Sequence, residues 1–378
     1  MKNIAILTPN YLNNFGISQI VRKQAEVLLQ DGNEVTIYTF ISNMAPPEGV
    51  HLEILGKPNN FILEKLFYWT FPINMIKTRR YIYKLKHCDV IISHFYPMNW
   101  LAFMAKILYG KKYIYYNHGL FRPLSTLNLN LIERIYLKIN FVLEESTASK
   151  ATRVISISQY CQQQFKNITG INSNIIYDTI DMKKFNEEID KTRIKKSSGL
   201  TDSQIILFVG TIGASKGIHI LINAFNEVKY EIPNVTLILI GKHLYPKYSE
   251  YLKEIANESV IFKEDISDEE LPYYYAACDL YASASIWEGF NLPLIEAQAC
   301  GRPVIAFNIG PHTEVVINNV TGILVQPCGD HHALAIAIKK LLNDSDLRLR
   351  MSNNARKMVQ EKFSYERFKS ETCNLIRL

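Results

Sequence analysis

Short apolar runs and segments of helical periodicity alternate along the whole chain. Apolar runs at 4–7, 34–40 and 89–94 predict buried strands in the first half, and runs at 204–210 and 235–241 predict strands in the second. Between these runs, apolar residues recur every three or four positions, which is typical of one face of a helix. A strand, a helix and a parallel strand form the repeating unit of a doubly wound sheet. The pattern therefore predicts an α/β protein in which this arrangement occurs twice.

The segment 280–301 combines a strand, a tight turn and a helix. Alternating small and apolar residues at 280–284 predict the strand, and the run from Pro293 to Cys300 predicts the helix. Proline fits a first helical turn because its missing N–H would have no partner there, and Gly301 fits the left-handed position just beyond a helix. The turn leaves backbone N–H groups at the positive end of the helix dipole, from about 290 to 294. Such a helix start is a good binding site for phosphate.

Two glutamates flank this turn. Glu296 falls about one turn into the helix, where its carboxylate could accept hydrogen bonds from a diol, and Glu288 precedes the turn and faces whatever is attached beyond the phosphates. Glutamates at this spacing are also common on ordinary surface helices. The order diol, diphosphate and second hydroxyl-rich group is that of a nucleotide-sugar, which is therefore the ligand that the segment predicts.

The wider sequence pattern favours the functional interpretation. The string Glu-Gly-Phe-x-Leu-Pro-x-x-Glu-Ala at 288–297, followed by Gly-x-Pro-Val-Ile-Ala at 301–306, resembles the C-terminal signature of the retaining GT-B glycosyltransferases of family 4, the glycosyl transferases group 1. The resemblance covers nearly the whole chain. It is strongest from 204 to 363 and weakest from 41 to 110, the region in which such enzymes recognise acceptors.

The resemblance implies a GT-B fold, with two Rossmann-like doubly wound domains, a cleft between them and a C-terminal helix that crosses back to the first domain. We expect an acceptor-binding domain at 1–181, a nucleotide-sugar-binding domain at 182–362 and the returning helix at 363–378. The linker departs from the usual family pattern, because Tyr177-Asp178-Thr179 replaces Pro-Asn-Gly. It is recognised instead from Asp181.

The loop after the strand at 204–210 predicts a second contact with a diphosphate. Gly210 and Gly217 allow close approach of the backbone, and Lys216 supplies a positive charge. The loop lacks the Gly-Lys-Ser/Thr of a Walker loop but resembles the family's Gly-x-x-x-x-x-Lys-Gly. The arginine that family members commonly add is missing, and Arg302 or Lys242 are the candidates to replace it.

Two residues of the first half complete the site that the resemblance implies. A glycine placed like Gly16 lets the backbone approach the donor's phosphates, although it could also simply ease the start of a helix. His118 follows a strand, and in the family a histidine there contacts the donor sugar, whereas a lone histidine is more often structural. His94 ends the neighbouring strand and is a further candidate at the rim.

The chain is accordingly expected to transfer a hexose-type sugar from a UDP- or GDP-sugar to an acceptor hydroxyl, with retention of configuration and without a metal ion or another cofactor. The expected catalytic residues are His118, Glu288 and Lys216. The expected donor-binding residues are Gly16, Gly210, Lys216, Gly289, Phe290, Asn291, Leu292 and Glu296. The alternatives are a nucleotide-sugar-binding protein without turnover and a GT-B-type sugar-nucleotide epimerase.

The sequence offers no convincing metal site. Asp344-Ser345-Asp346 has the Asp-x-Asp spacing of metal-dependent transferases, but it lies between two predicted helices, where aspartate is favoured as an N-cap. No cluster of histidines and cysteines has the spacing of metal ligands.

Composition and charge add information about location and partners. The 48% of hydrophobic and 21% of charged residues are typical of a soluble globular protein, and six scattered cysteines suit reduced thiols in a cytoplasm. No apolar run approaches the roughly 18 residues of a membrane span, and the apolar run at the start is too short for a signal peptide. We therefore expect a cytoplasmic protein.

The segment 57–86 carries seven basic side chains and one acidic side chain, so its net charge equals the +6 of the whole chain. Aromatic residues are interspersed with them, which indicates an anionic membrane surface or a nucleic acid as partner. A pair of ordinary helices packed on the sheet is an equally good interpretation. We expect a lipid-linked saccharide acceptor at the inner face of the cell membrane, with a soluble saccharide as the alternative; nucleic acid is disfavoured.

Overall fold

The computed structural model describes residues 1–13, 16–119, 131–243 and 245–377. The chain forms two compact units. The first unit contains Met1–Asp178 and Glu366–Leu378, and the second contains Thr179–Tyr365.

In the described part of the first unit, seven parallel strands form one sheet. They are β1 (Asn3–Tyr11), β2 (Glu34–Ser42), β3 (His51–Ile54), β4 (Val90–His94), β5 (Lys112–Asn117), β6 (Arg153–Ser156) and β7 (Asn174–Ile175). Their order is β3-β2-β1-β4-β5-β6-β7. The direction of winding reverses between β1 and β4, and open α/β sheets bind ligands at the carboxyl ends of the strands at such a point.

The second unit repeats this arrangement over its described residues with six parallel strands. They are β8 (Gln204–Val209), β9 (Val235–Ile240), β10 (Val260–Lys263), β11 (Leu280–Ser283), β12 (Val304–Phe307) and β13 (Gly322–Val325). Their order is β10-β9-β8-β11-β12-β13, so the reversal falls between β8 and β11. Two doubly wound parallel sheets confirm the predicted α/β fold class.

Helices cover these sheets. Those of the first unit are α1 (Gly16–Gln30), α2 (Phe61–Thr70), α3 (Met75–Lys84), α4 (Met98–Tyr109), α5 (Leu131–Ala148) and α6 (Gln159–Thr169). Those of the second are α7 (Thr192–Ser197), α8 (Ile218–Glu231), α9 (Pro246–Ile255), α10 (Leu271–Ala277), α11 (Leu292–Ala299), α12 (His312–Val315), α13 (His331–Asn343) and α14 (Ser345–Lys362). None of the described helices combines the length and the apolar character needed to cross a bilayer.

The last helix, α15 (Tyr365–Arg377), belongs almost entirely to the first unit. Its buried face includes Phe368 and Ile376. The ammonium of Lys2 donates to the carbonyl of Ile376 at 2.5 Å, and Arg377 pairs with Asp31 at 2.5 Å. These bonds attach the end of the chain to the start of β1 and the end of α1.

One edge strand of the first sheet is short. β7 pairs with β6 only through Asn174 and Ile175. In the second unit, α10 begins at Leu271 and is preceded by a turn in which Ser267 accepts a hydrogen bond from the N–H of Glu270 at 3.2 Å.

The aromatic residues of the segment 57–86 mostly belong to the core of the first unit. Phe67, Phe71 and Tyr81 are buried, and their rings lie 5.2, 5.5 and 6.4 Å from the ring of Phe40 on β2. For these rings, the interpretation as ordinary helices packed on a sheet is the correct one. The exposed residues of α2 and α3 include aliphatic and basic side chains, together with the aromatic Trp69 and Tyr83.

Candidate functional site

In the second unit, the loop that follows β8 packs against the end of β11. Gly217 begins α8 with φ +62°, and a Cβ atom there would lie 2.0 Å from the carbonyl oxygen of Ala284. The N–H of Ile286 donates to the carbonyl of Ser215 at 3.0 Å. The predicted phosphate loop and the predicted turn before α11 are therefore neighbours at the reversal point of the sheet.

An ion pair joins these two segments. Nζ of Lys216 lies 2.6 Å from Oε1 of Glu288, which is only 7% exposed. A carboxylate removed from water to this degree needs a partner that compensates its charge. The structure thus brings together two predicted catalytic residues that are 72 positions apart.

The turn before α11 is stabilised by a buried amide and imidazole. Asn291 is the N-cap residue and has left-handed backbone angles, φ 73° and ψ 65°. Its Nδ2 group donates to Nε2 of His312 at 2.9 Å and to Oγ of Ser283 at 3.3 Å. His312 donates from Nδ1 to the carbonyl of Phe307 at 2.8 Å, and burial lowers its pKa, so it is neutral and its Nε2 accepts. The side-chain amide of Asn291 is therefore already used in hydrogen bonds within the protein. Its expected contact with the donor can come only from its backbone.

The other residues around this turn are also constrained. Phe290 is buried, and its ring lies 5.6 Å from that of Phe363. The N–H of Leu294 already donates to the carbonyl of Asn291 at 3.1 Å, and Pro293 has no N–H. At the start of α11, Pro293 and Leu294 therefore offer no unused N–H group to a phosphate. Gly301 has the predicted left-handed φ, +68°.

Glu296 is oriented by a buried tyrosine. The hydroxyl of Tyr275 on α10 donates to Oε2 of Glu296 at 2.7 Å. Burial, followed by the charge of Glu296, raises the pKa of Tyr275 well above its usual value, so the hydroxyl keeps its proton and remains a donor. The carboxylate of Glu296 is thereby held in one orientation on the first turns of α11, where we predicted that it accepts hydrogen bonds from a diol.

The remaining expected donor contacts differ in their surroundings. Gly210 has φ +151°, and a Cβ atom there would lie 3.1 Å from the ring of Phe208. Gly16 is exposed at the start of α1, and no atom of the described residues beyond its chain neighbours and the backbone of α1 lies within 4 Å of the position of its Cβ. Of the candidates to replace the missing arginine, Arg302 donates to the carbonyl of Ala276 at 2.5 Å, and exposed Lys242 lies 3.8 Å from Asp265.

In the first unit, His118 is part of a buried row of polar side chains. Its Nε2 lies 2.7 Å from Nδ1 of His94, and Nε2 of His94 lies 3.0 Å from Oε1 of Gln24 on α1. Burial lowers the pKa of His118 to about 3 and that of His94 well below its usual value. His118 is therefore neutral near pH 7 and suited to hydrogen bonding rather than to proton donation from a charged ring.

Three residues of these networks were not expected from the sequence: Gln24, Tyr275 and His312. Gln24 lies on the apolar stripe of α1, four residues from both Ile20 and Leu28, and a polar residue on such a face is a detectable signal. Tyr275 and His312 have no comparable signal, since their partners are 21 residues away along the chain.

The structure also places Glu227, His331 and His332 together, with their potential ligand atoms within 4.8 Å of one another. Glu227 lies on α8 and the two histidines begin α13, so the three side chains are far apart along the sequence. Each histidine lies within hydrogen-bond distance of Glu227, at 3.2 and 2.7 Å. Asp344, in contrast, is an N-cap as predicted and accepts from the N–H of Leu347 at 2.8 Å.

Comparisons with known proteins agree with this arrangement. Residues 16–184 match the family described as "Glycosyltransferase Family 4", and residues 190–358 match "Glycosyl transferases group 1". The capsular polysaccharide biosynthesis glycosyltransferase CapM of Staphylococcus aureus is 31% identical over 248 residues, which are 63% of this chain and 64% of CapM. The chain thus aligns with just under two thirds of the length of this relative.

Two solved structures share the fold. Anabaena HepE in complex with UDP and glucose has a TM-score of 0.84 at 20% identity, with 100% of both chains covered. Sucrose-phosphate synthase from Thermosynechococcus elongatus has a TM-score of 0.86 at 23% identity, with 100% of this chain and 98% of that chain covered. Together with the two family matches, which follow one another along most of the sequence, they show that the chain belongs to the family 4, group 1 glycosyltransferases and has their GT-B fold.

Proposed function

We propose that the chain transfers a hexose-type sugar from a UDP- or GDP-sugar to an acceptor hydroxyl with retention of configuration and without a metal ion. The bond between the anomeric carbon and the diphosphate breaks, a bond to the acceptor oxygen forms, and the proton of the acceptor hydroxyl passes to the leaving diphosphate. The observation that carries this proposal is the ion pair between Lys216 and Glu288, which lies next to the start of α11.

The ion pair suggests how the donor is bound. When the diphosphate arrives, the ammonium of Lys216 exchanges the carboxylate of Glu288 for a phosphate oxygen. The released carboxylate then accepts hydrogen bonds from sugar hydroxyls. Because Glu288 is buried, it loses a charged partner in this exchange, so the sugar hydroxyls must replace that partner. We therefore expect the nucleotide-sugar to bind more tightly than the nucleoside diphosphate alone.

The leaving diphosphate needs positive charge that is placed in advance. In the proposed mechanism, Lys216 and the first backbone N–H groups of α11 supply this charge. Glu296, oriented by Tyr275, accepts the ribose hydroxyls of the nucleotide. Preorganised groups of this kind need little rearrangement when the bond breaks, which is why they contribute strongly to catalysis.

The choice of donor and pathway is supported by the relatives. HepE is named as a complex with UDP and glucose, and CapM as a protein of capsular polysaccharide biosynthesis. We therefore place the reaction in the synthesis of a cell-surface polysaccharide or a lipid-linked glycan, in the cytoplasm. Of the two donor classes, UDP-sugars have the more direct support.

A transfer assay separates this proposal from its alternatives. UDP-glucose and GDP-mannose are incubated with the chain, lipid-linked saccharide acceptors and a chelator, and the released nucleotide and the anomeric configuration of the product are measured. We expect nucleotide release that depends on the acceptor, and an α-linked product from an α-linked donor. Release without an acceptor, accompanied by an epimerised sugar, would indicate the epimerase; binding without release would indicate a protein without turnover.

An exposed surface of the first unit supports the expected membrane location. Leu66, Ile73 and Ile76 on and between α2 and α3 are 47%, 79% and 88% exposed. Arg79 and Arg80 on α3 are exposed and make no ion pair with any described residue, whereas Lys57 and Lys84 of the same segment are paired with glutamates. Exposed aliphatic residues beside unpaired arginines are suited to an anionic lipid surface.

Vesicle flotation tests this location. We expect binding at low salt to vesicles that contain phosphatidylserine, with weaker binding to neutral vesicles. Changing Arg79 and Arg80 to glutamate should abolish it. The matched control makes the same charge change at exposed Arg350 and Lys357 on α14, and should still bind. Equal loss in both double variants, or no binding by the unmodified chain, would contradict the membrane proposal and favour a soluble acceptor.

A further inference from the structure

We propose that Gln24 and His94 are positioning residues that decide which ring nitrogen of His118 carries the proton. The three side chains form one continuous row of hydrogen bonds inside the first unit. Gln24 lies on α1, His94 is the last residue of β4, and His118 directly follows β5. Three separate elements therefore converge on one imidazole.

The row is closed to water. Gln24 is 1% exposed, His94 is fully buried and His118 is 8% exposed. The ring of Phe95 stacks on His118 with 5.0 Å between the ring centroids. Water is thus excluded from the two inner members, so Oε1 of Gln24 and both ring nitrogens of His94 must find their partners within the row.

The direction of the row follows from the chemistry of its first member. Oε1 of Gln24 can only accept, so Nε2 of His94 must carry a proton and donate to it at 3.0 Å. A neutral imidazole has one N–H, and Nδ1 of His94 is therefore an acceptor. Nε2 of His118, 2.7 Å away, must then be the donor. This leaves a lone pair on Nδ1 of His118.

Both histidines remain neutral, which the row requires. Burial lowers the pKa of each ring, and the neighbouring His118 lowers that of His94 further. A proton added to His94 would place two N–H groups against each other at 2.7 Å. The row is therefore fixed both in charge and in direction.

The consequence concerns the ligand and rests on the proposed function. Nδ1 of His118, which has no hydrogen-bond partner among the described residues, would accept a hydrogen bond from a sugar hydroxyl of the donor. The opposite tautomer would present an N–H there and could not do so. Gln24, which need not touch the ligand, thus sets the polarity of a ligand contact made by another residue.

Nitrogen NMR of the histidine rings tests the row in the ligand-free protein. Long-range proton–nitrogen correlations distinguish a protonated from an unprotonated ring nitrogen. At neutral pH we expect His118 to be protonated at Nε2 alone, and His94 likewise. If the amide of Gln24 were rotated so that its Nε2 faced His94, every hydrogen bond of the row would run in the opposite direction. A proton on Nδ1 of His118 would therefore overturn the proposal. This measurement needs no turnover, and its result does not depend on the proposed transferase activity.

Two substitutions of His94 separate positioning from simple packing. An amide can accept at one end and donate at the other, so His94→Gln preserves the direction of the row, whereas His94→Leu removes it. For His94→Leu we expect a mixture of His118 tautomers and a loss of about tenfold in kcat/KM for the nucleotide-sugar. His94→Gln should keep His118 in the Nε2–H tautomer and should retain most of the kcat/KM that His94→Leu loses.

Gln24→Met is a second test of the row, because it keeps both histidines and approximately the volume of the side chain at position 24. It should give the same mixture of tautomers as His94→Leu even if the latter folds poorly. Retention of the pure Nε2–H tautomer in folded Gln24→Met would overturn the proposal. So would equal kinetic losses in His94→Gln and His94→Leu.

Discussion

The ion pair of Lys216 and Glu288 is the charged centre of the candidate site. A buried glutamate without its lysine is costly, and a lysine with its glutamate is neutralised until an anion competes for it. Sequence motifs identified both residues, as well as Glu296. They could not identify the contact between Lys216 and Glu288, nor the orienting bond from Tyr275, because burial and distance depend on how segments far apart in the chain meet.

Removing the lysine tests its role in stabilising the diphosphate. We expect Lys216→Ala to lower kcat/KM by about a hundredfold, because a preplaced charge on the leaving group is lost. Lys216→Arg should lose less, since the charge remains. Steady-state kinetics with the chelator present measure both variants. A loss below threefold in a folded Lys216→Ala variant would show that the charge comes from elsewhere.

A buried carboxyl of the first unit makes folding depend on pH. Burial raises the pKa of Glu144 to about 7, from a usual value near 4.5, and its Oε1 accepts from the hydroxyl of Tyr115 at 2.7 Å. The unfolded chain releases this proton at lower pH than the folded chain. The contribution of Glu144 to the free energy of unfolding is therefore present in full below about pH 4.5. As the pH rises to about 7, this contribution falls by roughly 3 kcal/mol.

The variant Glu144→Gln lacks this titration. Denaturant unfolding of both proteins between pH 4.5 and 8 should show the free energy of unfolding of the unmodified chain falling relative to the variant. Asp178, whose pKa burial also raises to about 7, is present in both and cancels. A difference that stays constant across this range would mean that Glu144 is ionised in the folded protein.

At the scale of elements, the strand, turn and helix around α11 illustrate what a sequence can specify. Pro293 and Gly301 mark the start and end of the helix through local backbone chemistry, and both predictions are confirmed. The left-handed Asn291 was not expected from local rules, because its side chain bonds to His312 at the start of α12. The two-residue length of β7 is a related case, since this edge strand ends where its neighbour β6 ends.

Gly217 offers a test of how closely these elements pack. Gly217→Ala should destabilise the second unit by about 2 kcal/mol or more, because its Cβ would clash with the carbonyl of Ala284 and its φ is positive. Gly199→Ala is the matched control, since it has φ +67° and open space around the Cβ position. It should lose only about 1 kcal/mol. Equal shifts of the unfolding midpoints of Gly217→Ala and Gly199→Ala would show that the loop around Gly217 can move to accommodate the added methyl group.

At the scale of the whole molecule, the alternation of apolar runs and helical segments was sufficient to predict two doubly wound sheets. The reason is that this pattern is local and is repeated in every strand-helix-strand unit. The faces of α2 and α3 were less predictable. Phe67 packs in the core, whereas Ile76 is 88% exposed, so hydrophobicity alone does not tell which apolar residues of these helices are buried.

The measurement that tests the central claim most directly is the shift in unfolding temperature on adding UDP, GDP or ADP without metal, for the unmodified chain and for Glu296→Ala. A nucleotide at a hundred times its dissociation constant stabilises a protein by about 2.7 kcal/mol, which is readily detected. We expect UDP or GDP, but not ADP, to raise the midpoint of the unmodified chain, and Glu296→Ala to lose that shift. No shift with any nucleotide would contradict the nucleotide-sugar site, and an undiminished shift in Glu296→Ala would contradict the ribose contact.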